Sequence, residues 1–351
     1  MSSPQRRFPS IYTNAVYYPN QRVLCGDTPS KLNYECINRV YYAYATVSMN
    51  GGVFLSDEKV DALTDCDGAK GALGSLLKFQ QRYSYLEVVL SIGGSESAEA
   101  FPIVASSPVL RDNFARSVRG LLDASGLNGI DIVWDYPCTP EQGRDFLALV
   151  ATVRIYLPEG RNIVTATLPA VHTVLRNIDL GQAAKYLDNI NLAAYDFFGP
   201  WSPRTGHQAQ LYAMNKDEPS GAAAVRDLLS AGVPSRKILL GIPLFGRSFL
   251  HASGPGHKNR GYGGGLDGSF EYSQLPRMGT KEQVDKRAVA AQCVGGDGGF
   301  VSYDNPETVK MKAAFCKQKR LGGLFYWSGP SDSKDPKRTL IATGFKALHS
   351  S

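Results

Sequence analysis

The sequence predicts an α/β fold, a closed (β/α)8 barrel of the TIM type, from three observations. Short apolar segments recur along the chain, and several are followed by a stretch with the periodicity of an amphipathic helix. Strands that alternate with helices pair in parallel, and eight such units close into a barrel. The length of 351 residues exceeds one ordinary core but suits such a barrel with an insertion.

The elements follow from this alternation in chain order. Strands are predicted at 15–18, 39–47, 86–93, 129–135, 163–168, 190–195, 238–244 and 323–327, and helices at 70–83, 109–125, 141–156, 221–229 and 307–319. Residues 248–299 break the pattern, because this glycine-rich segment is longer than a normal connection and contains the strand-like 269–273. We therefore expect a barrel formed by residues 12–247 and 300–348. A small α+β insertion module follows the seventh strand at 248–299, and an N-terminal tail occupies 1–11.

Composition and charge narrow the class of protein. Hydrophobic residues make up 43% of the chain and charged residues 20%, as in ordinary globular proteins, and the formal charge of +6 is spread out. No basic run indicates a nucleic-acid partner, and no apolar run is long enough to indicate a membrane span. The first residues lack the apolar centre of a secretory signal, which predicts a cytoplasmic protein, or a secreted one if a signal has been removed.

Cysteine and histidine spacing gives no indication of a metal site. The six cysteines are sparse and lack metal-ligand spacing, which predicts reduced structural thiols, although Cys25 and Cys36 could pair in a secreted protein. The five histidines are also unsuitably spaced for metal ligation. We expect no metal and no cofactor, a small-molecule or oligosaccharide ligand, and a monomer.

The fourth predicted strand carries the most informative residues. Asp131, Val133 and Asp135 alternate with apolar residues, so their side chains point to one face while Trp134 points to the other and packs. Carboxylates in an apolar strand carry a desolvation cost that packing alone would not select. A buried polar network is one explanation. Chemistry at the C-terminal end of a barrel strand is the other.

Five motifs at the ends of predicted strands resemble those of one enzyme family. They are Ser91-Ile92-Gly93-Gly94, Asn128-Gly129-Ile130-Asp131-Ile132-Val133-Trp134-Asp135, Ala193-Ala194-Tyr195-Asp196, Pro243-Leu244-Phe245-Gly246-Arg247, and Trp327. In these motifs, from about Tyr12 to Leu348, the chain resembles glycoside hydrolase family 18, the chitinases and chitinase-like proteins. The corresponding family patterns are S-x-G-G, D-G-x-D-x-D-x-E, M-x-Y-D, P-L-Y-G-R and a tryptophan on strand eight. The insertion after strand seven also resembles the α+β domain of that family.

The resemblance implies a substrate-assisted reaction whose residues are partly altered here. The glutamate that ends the family's strand-four motif protonates the leaving oxygen, and the aspartate two residues earlier orients the acetamido group of N-acetylglucosamine. Here these positions are Asp135 and Val133, while Asn128 and Ala193 also depart from the family pattern. The shorter Asp135 withdraws its carboxyl by roughly 1.5 Å. A misplacement of about 1 Å can cost on the order of 100-fold in rate.

Other residues are expected to bind the ligand or assist catalysis. The resemblance implies that Tyr195 and Asp196 hold the acetamide, and Asp131 remains beside them as a possible catalytic carboxylate. A final group is expected to bind the substrate at the mouth of the barrel, where flat rings stack on a sugar face: Trp327, Trp201, Arg247, Tyr44 and Phe245.

Three hypotheses about function remain open. In the first, the protein binds N-acetylglucosamine oligosaccharides or a related ligand without efficient cleavage. In the second, the barrel performs a different small-molecule reaction with Asp135 as general acid or base. In the third, it is a residual chitinase or N-acetylglucosaminidase, against which Val133 counts most heavily because a valine cannot stabilise the charge on an oxazolinium intermediate.

Overall fold

Eight parallel strands form the closed barrel that the sequence predicts. The computed structural model describes residues 12–296 and 298–350, so the predicted tail at 1–11 lies outside the described residues. The barrel strands are β1 (Thr13–Pro19), β2 (Arg39–Val47), β3 (Glu87–Gly93), β4 (Gly129–Val133), β5 (Ile163–Pro169), β6 (Asn189–Ala193), β7 (Ile238–Pro243) and β8 (Gly323–Trp327). Each pairs with its neighbours, and β1 pairs with both β8 and β2, which closes the barrel.

The helices surround the barrel. They are α1 (Gly71–Arg82), α2 (Ala100–Ser106), α3 (Pro108–Ser125), α4 (Pro140–Tyr156), α5 (His172–Leu175), α6 (Leu180–Tyr186), α7 (Gly221–Ser230), α8 (Pro306–Gln318) and α9 (Leu340–His349). Several begin at a side chain that accepts a hydrogen bond from the first turn, as Thr139 does from Gln142 N at 3.2 Å. The five predicted helices are present, and α2, α5, α6 and α9 are additional.

Two apolar layers enclose the strands on either side. Inside the barrel, Tyr17 and Tyr41 stack with ring centroids 4.7 Å apart, and Phe325 packs against Tyr17. Outside, the strands pack against the helices, and Trp134 stacks on Phe101 of α2 at 5.7 Å. Trp134 is therefore a packing residue, as predicted.

An antiparallel sheet follows β7. Its strands, in spatial order, are Ser269–Glu271, Phe245–Phe249, Phe300–Tyr303, Ala290–Val294 and Gln283–Asp285. The first strand along the chain begins at Phe245 and the last ends at Tyr303, so the sheet extends past both predicted limits of the 248–299 module. The exact division into domains stays a prediction.

Ion pairs join this antiparallel sheet to the barrel. Arg22, which follows β1, pairs with Glu271, and Arg338, which precedes α9, pairs with Glu282 at 2.8 Å. These contacts hold the inserted strands above the C-terminal ends of the barrel strands.

The described part of the chain has no helix that combines the length and the apolar character needed to cross a bilayer. All six cysteines are free thiols. Cys25 and Cys138 are exposed and the other four are buried.

Candidate functional site

A pocket of about 380 Å³ lies at the C-terminal ends of the barrel strands. Its floor includes Val133 and Ala193, and the antiparallel sheet contributes one wall. Most of the residues expected at the site line this pocket together: Tyr44, Val133, Asp135, Ala193, Tyr195, Asp196, Phe245, Arg247 and Trp327. Asp131, Asn128 and Trp201 are absent from its described lining.

Asp135 is one of the residues that line the pocket. Strand β4 ends at Val133, two residues earlier than predicted, so Asp135 sits in the bend that follows the strand. Its side chain is half-buried, and burial raises the pKa of its carboxyl. Within the described ranges, Asp135 makes no side-chain hydrogen bond or ion pair. Its carboxyl is thus available to a ligand.

Asp131 occupies a different environment, directly beneath the pocket lining, where Tyr17 and Thr167 hydrogen-bond to it. Its side chain is fully buried, so we correct the expectation that it converges with the pocket carboxylate. In the parallel register it lies between Ser91 of β3 and Thr165 of β5, and both hydroxyls donate to it. The donor distances to its carboxylate are 2.7 Å from Tyr17, 3.0 Å from Ser91, 2.7 Å from Thr165, 3.1 Å from Thr167 and 3.3 Å from Asn191.

This network explains why a carboxylate can be buried on an apolar strand. Burial raises the pKa of Asp131, while the hydrogen bonds from Thr165, Tyr17, Ser91 and Thr167 act in the opposite direction. A buried polar network therefore explains Asp131. Asp135 instead lines the pocket beyond the C-terminal end of β4, where the other explanation places chemistry.

Asn128 lies at the opposite end of the barrel. Its side-chain oxygen accepts hydrogen bonds from Val88 N at 2.7 Å and from Gln80 Nε2 at 2.6 Å. This altered motif position therefore joins β3, the start of β4 and α1, and it contacts no part of the pocket.

Asp196 and Arg247 form a bidentate pair on the pocket wall. Asp196 follows β6 in a left-handed backbone conformation with φ 59°, which aspartate tolerates better than most residues. Arg247 donates to it through Nε at 2.7 Å and Nη2 at 3.0 Å, and through Nη1 to the Asp267 carbonyl oxygen at 2.9 Å. Such paired, charge-assisted bonds fix the guanidinium plane. The pair therefore ties the inserted sheet to the end of β6.

Aromatic rings form two further walls. Trp327 stacks on Tyr44 with centroids 5.8 Å apart, and Tyr195 meets Phe245 edge to face at 5.9 Å. Burial raises the pKa of the Tyr44 and Tyr195 hydroxyls, so both keep their protons and can donate to a ligand oxygen.

Trp201 lies outside the pocket, at the rim. Its side chain is 59% exposed, and the Arg247 guanidinium lies 5.0 Å from its ring centroid. This cation–π contact orients the ring. A direct contact between Trp201 and a ligand would require the ligand to extend beyond the pocket.

Several lining residues were missed in the sequence. Tyr17 and Thr167 link the pocket to the Asp131 network, while Asp267, Ser269 and Glu271 come from the inserted segment. Thr165 and Thr167 could have been predicted, because they are polar residues at alternate positions of an apolar strand. The same pattern identified Asp131 in β4. The inserted residues gave no such signal.

The described residues contain no group of three or more His, Cys, Asp and Glu side chains that could hold a metal ion. What the pocket offers is a half-buried carboxyl, phenol hydroxyls, one guanidinium and several aromatic faces. These groups are suited to a polar ligand with flat apolar faces.

Comparison with known proteins establishes the family. The profile described as Glycosyl hydrolases family 18 matches residues 12–332, so the chain belongs to that family. The chain is similar to Chitinase 1 of Aphanocladium album, with 32% identity that covers 97% of this chain and 86% of that protein. Endochitinase 1 of Metarhizium robertsii is also 32% identical, over 96% of this chain and 85% of the relative.

A solved structure confirms the fold. The class V chitinase of Nicotiana tobaccum, in a mutant form complexed with NAG4, superposes with a TM-score of 0.83 at 24% identity. The match covers 97% of this chain and 99% of that one. The profile match confirms the predicted family, and this superposition confirms the (β/α)8 barrel.

Proposed function

We propose that this chitinase-family protein binds N-acetylglucosamine oligosaccharides and cleaves them slowly or not at all. The observation that carries the proposal is the pair of residues that the end of β4 and the following bend present to the pocket. Val133 stands where the resemblance implies the orienting aspartate, and Asp135 stands where it implies the acid.

Support for binding comes from the shape and chemistry of the pocket. Trp327 and Tyr44 offer stacked ring faces, and Tyr195 offers a protonated hydroxyl close to the Asp196–Arg247 pair. The tobacco relative was solved with NAG4 bound, which favours the same ligand class for this chain. The pocket of about 380 Å³ is large enough for a small number of sugar units.

Support for impaired cleavage comes from Val133, which lines the pocket where the resemblance implies a carboxylate. Val133 is 6% exposed and has no polar atom in its side chain. The next carboxylate along the strand, Asp131, is already engaged by five donor side chains below the pocket. Loss of charge stabilisation at one position can cost on the order of 100-fold or more in rate.

One observation favours a second function, acid–base chemistry on a different small molecule. Asp135 is half-buried, and the raised pKa of its carboxyl suits a general acid or base. In that case Asp135→Asn abolishes turnover of the true substrate. Unchanged turnover excludes this role for the carboxyl.

Calorimetric titration with chitotetraose tests the proposed binding. We expect saturable heat and a rise in the melting temperature, with Trp327→Ala weakening both. Absence of heat and of a thermal shift in a folded sample would exclude the proposal.

Restoring the family residues tests the remaining hypothesis of a residual hydrolase. The double variant Val133→Asp/Asp135→Glu gains chitinase activity if only these two positions limit catalysis. The single variant Asp135→Glu is the matched control, since it returns the acid without the orienting carboxylate. If the double variant gains nothing over that control, the pocket itself has changed shape.

A further inference from the structure

The pocket is acidic although the whole chain is basic. Four carboxylates line it, those of Asp135, Asp196, Asp267 and Glu271, and Arg247 is the single cation among the described lining residues. The chain as a whole has a formal charge of +6. A cleft lined by charge of one sign concentrates ligands of the opposite sign.

Two of these carboxylates are paired with an arginine within the protein. Asp196 is paired with Arg247, and Glu271 is paired with Arg22. Asp267 is exposed to water at the mouth. That leaves Asp135 as a half-buried carboxyl that faces the pocket and has no cation or hydrogen-bond donor among the residues that the structure describes. A buried carboxylate without a partner is costly, so this position favours a ligand that brings a positive charge.

Aromatic residues line the pocket together with Asp135, among them Tyr44 and Tyr136. Burial first, and then the charge of Asp135, raises the pKa of both hydroxyls. Tyr195 lines the same pocket and Trp327 stacks on Tyr44. Ring faces attract cations, and desolvation strengthens the attraction.

We propose that the sugar unit beside Asp135 carries a free 2-ammonium group, so that the preferred ligand is a deacetylated glucosamine oligosaccharide. The inference rests on the proposed function, which places an amino-sugar oligosaccharide in this pocket. An ammonium group supplies the positive charge that Asp135 lacks. Val133 beneath it offers no acceptor for the N–H of an acetamide, so an acetylated unit gains nothing comparable there.

Calorimetry with two tetrasaccharides tests the proposal. Tetraglucosamine and chitotetraose, which differ only in acetylation, are titrated at a pH where the sugar amine is protonated. We expect the deacetylated ligand to bind at least about tenfold more tightly. In Asp135→Asn we expect the two ligands to bind about equally tightly, since the amide keeps the shape of the side chain but loses the charge.

Asp267→Asn is the matched control, because it removes the same charge from an exposed carboxylate at the mouth. We expect it to retain the preference and to change affinity less than about threefold, since screening weakens exposed charges.

The outcomes separate this proposal from the proposed function. If chitotetraose binds as tightly as tetraglucosamine, or more tightly, the ammonium preference is wrong while oligosaccharide binding stands. An equal loss of preference in Asp267→Asn also overturns the proposal, because the preference then comes from the total negative charge of the pocket rather than from Asp135. If neither ligand binds to a folded sample, the proposed function itself fails.

Discussion

Asp131 and Asp135 are the same residue type, four positions apart, and the protein treats them in opposite ways. Asp131 is fully buried among donors from five side chains, while Asp135 lies half-buried in the pocket with no partner in the described part of the chain. The first is a buried hydrogen-bond acceptor, and the second is the carboxyl that we propose meets the ligand. The different depth of the two carboxylates along the barrel accounts for their different surroundings.

The largest expected effect is on stability, at Asp131. Asp131→Ala leaves several buried donors without their acceptor, and each such group costs about 1–3 kcal/mol. We expect the free energy of unfolding to fall by about 3 kcal/mol or more, measured by urea denaturation. Asp135→Ala is the control and should change stability by less than about 1 kcal/mol, because it orphans no donor. Equal losses at the two sites would remove the distinction between them.

The next largest effect is on ligand binding, and it compares a tryptophan in the pocket with one at the rim. Trp327→Ala removes a ring that lines the pocket, and we expect chitotetraose to bind about tenfold or more weakly in calorimetry. Trp201→Ala removes a ring of similar size that is 59% exposed at the rim, and a much smaller loss is expected there. A larger effect from Trp201 would move the binding surface out of the pocket.

A smaller effect on stability is expected when Asp196 loses its partner Arg247, which leaves it unpaired as Asp135 is in the described residues. Arg247→Ala removes both bonds of the bidentate pair, and we expect a loss of about 1 kcal/mol in the free energy of unfolding. Arg247→Lys serves as the comparison, since lysine keeps the charge but cannot form the paired geometry. If Arg247→Ala unfolds at the same urea concentration as the parent, the pair contributes nothing to stability.

The smallest effect is the pH dependence of stability at Asp135. Because the pKa of this carboxyl is raised in the folded protein, the folded state binds the proton more tightly than the unfolded state. Stability from this group is therefore present below the unfolded pKa of about 3.9 and is lost as pH rises through the raised folded pKa.

Urea midpoints measured across the acid range for the parent and for Asp135→Asn isolate this effect. Asp131 also has a raised pKa, but it is present in both proteins and cancels from the difference. We expect the parent to lose stability relative to the variant as pH rises. If the urea midpoints of the two proteins change in parallel with pH, ionising the Asp135 carboxyl does not destabilise the folded protein.

The limits of the sequence-based predictions follow from the geometry of a barrel. Alternation along the predicted strand assigns Asp131, Val133 and Asp135 to one face, and Val133 and Asp135 do both line the pocket. Alternation contains no information about depth. Depth is set by the register with neighbouring strands, which places Asp131 level with Ser91 and Thr165. The motifs after the strands predicted Tyr195, Asp196 and Arg247 correctly as neighbours, because strand ends meet at one rim.

The residues that were missed depend on contacts distant in sequence. Asp267 and Glu271 reach the pocket because the inserted strand Ser269–Glu271 pairs with Phe245–Phe249. Helices α2, α5 and α6 are no longer than seven residues, too short to show a reliable periodicity.

The most direct test is to follow binding and cleavage of chitotetraose in the same sample. The protein is held at a concentration that saturates the sugar, and the oligosaccharide is recovered after prolonged incubation and analysed by mass spectrometry. We predict saturable calorimetric heat together with recovery of the intact tetrasaccharide. Rapid conversion to shorter products would contradict impaired cleavage, and the absence of binding heat would contradict a carbohydrate site.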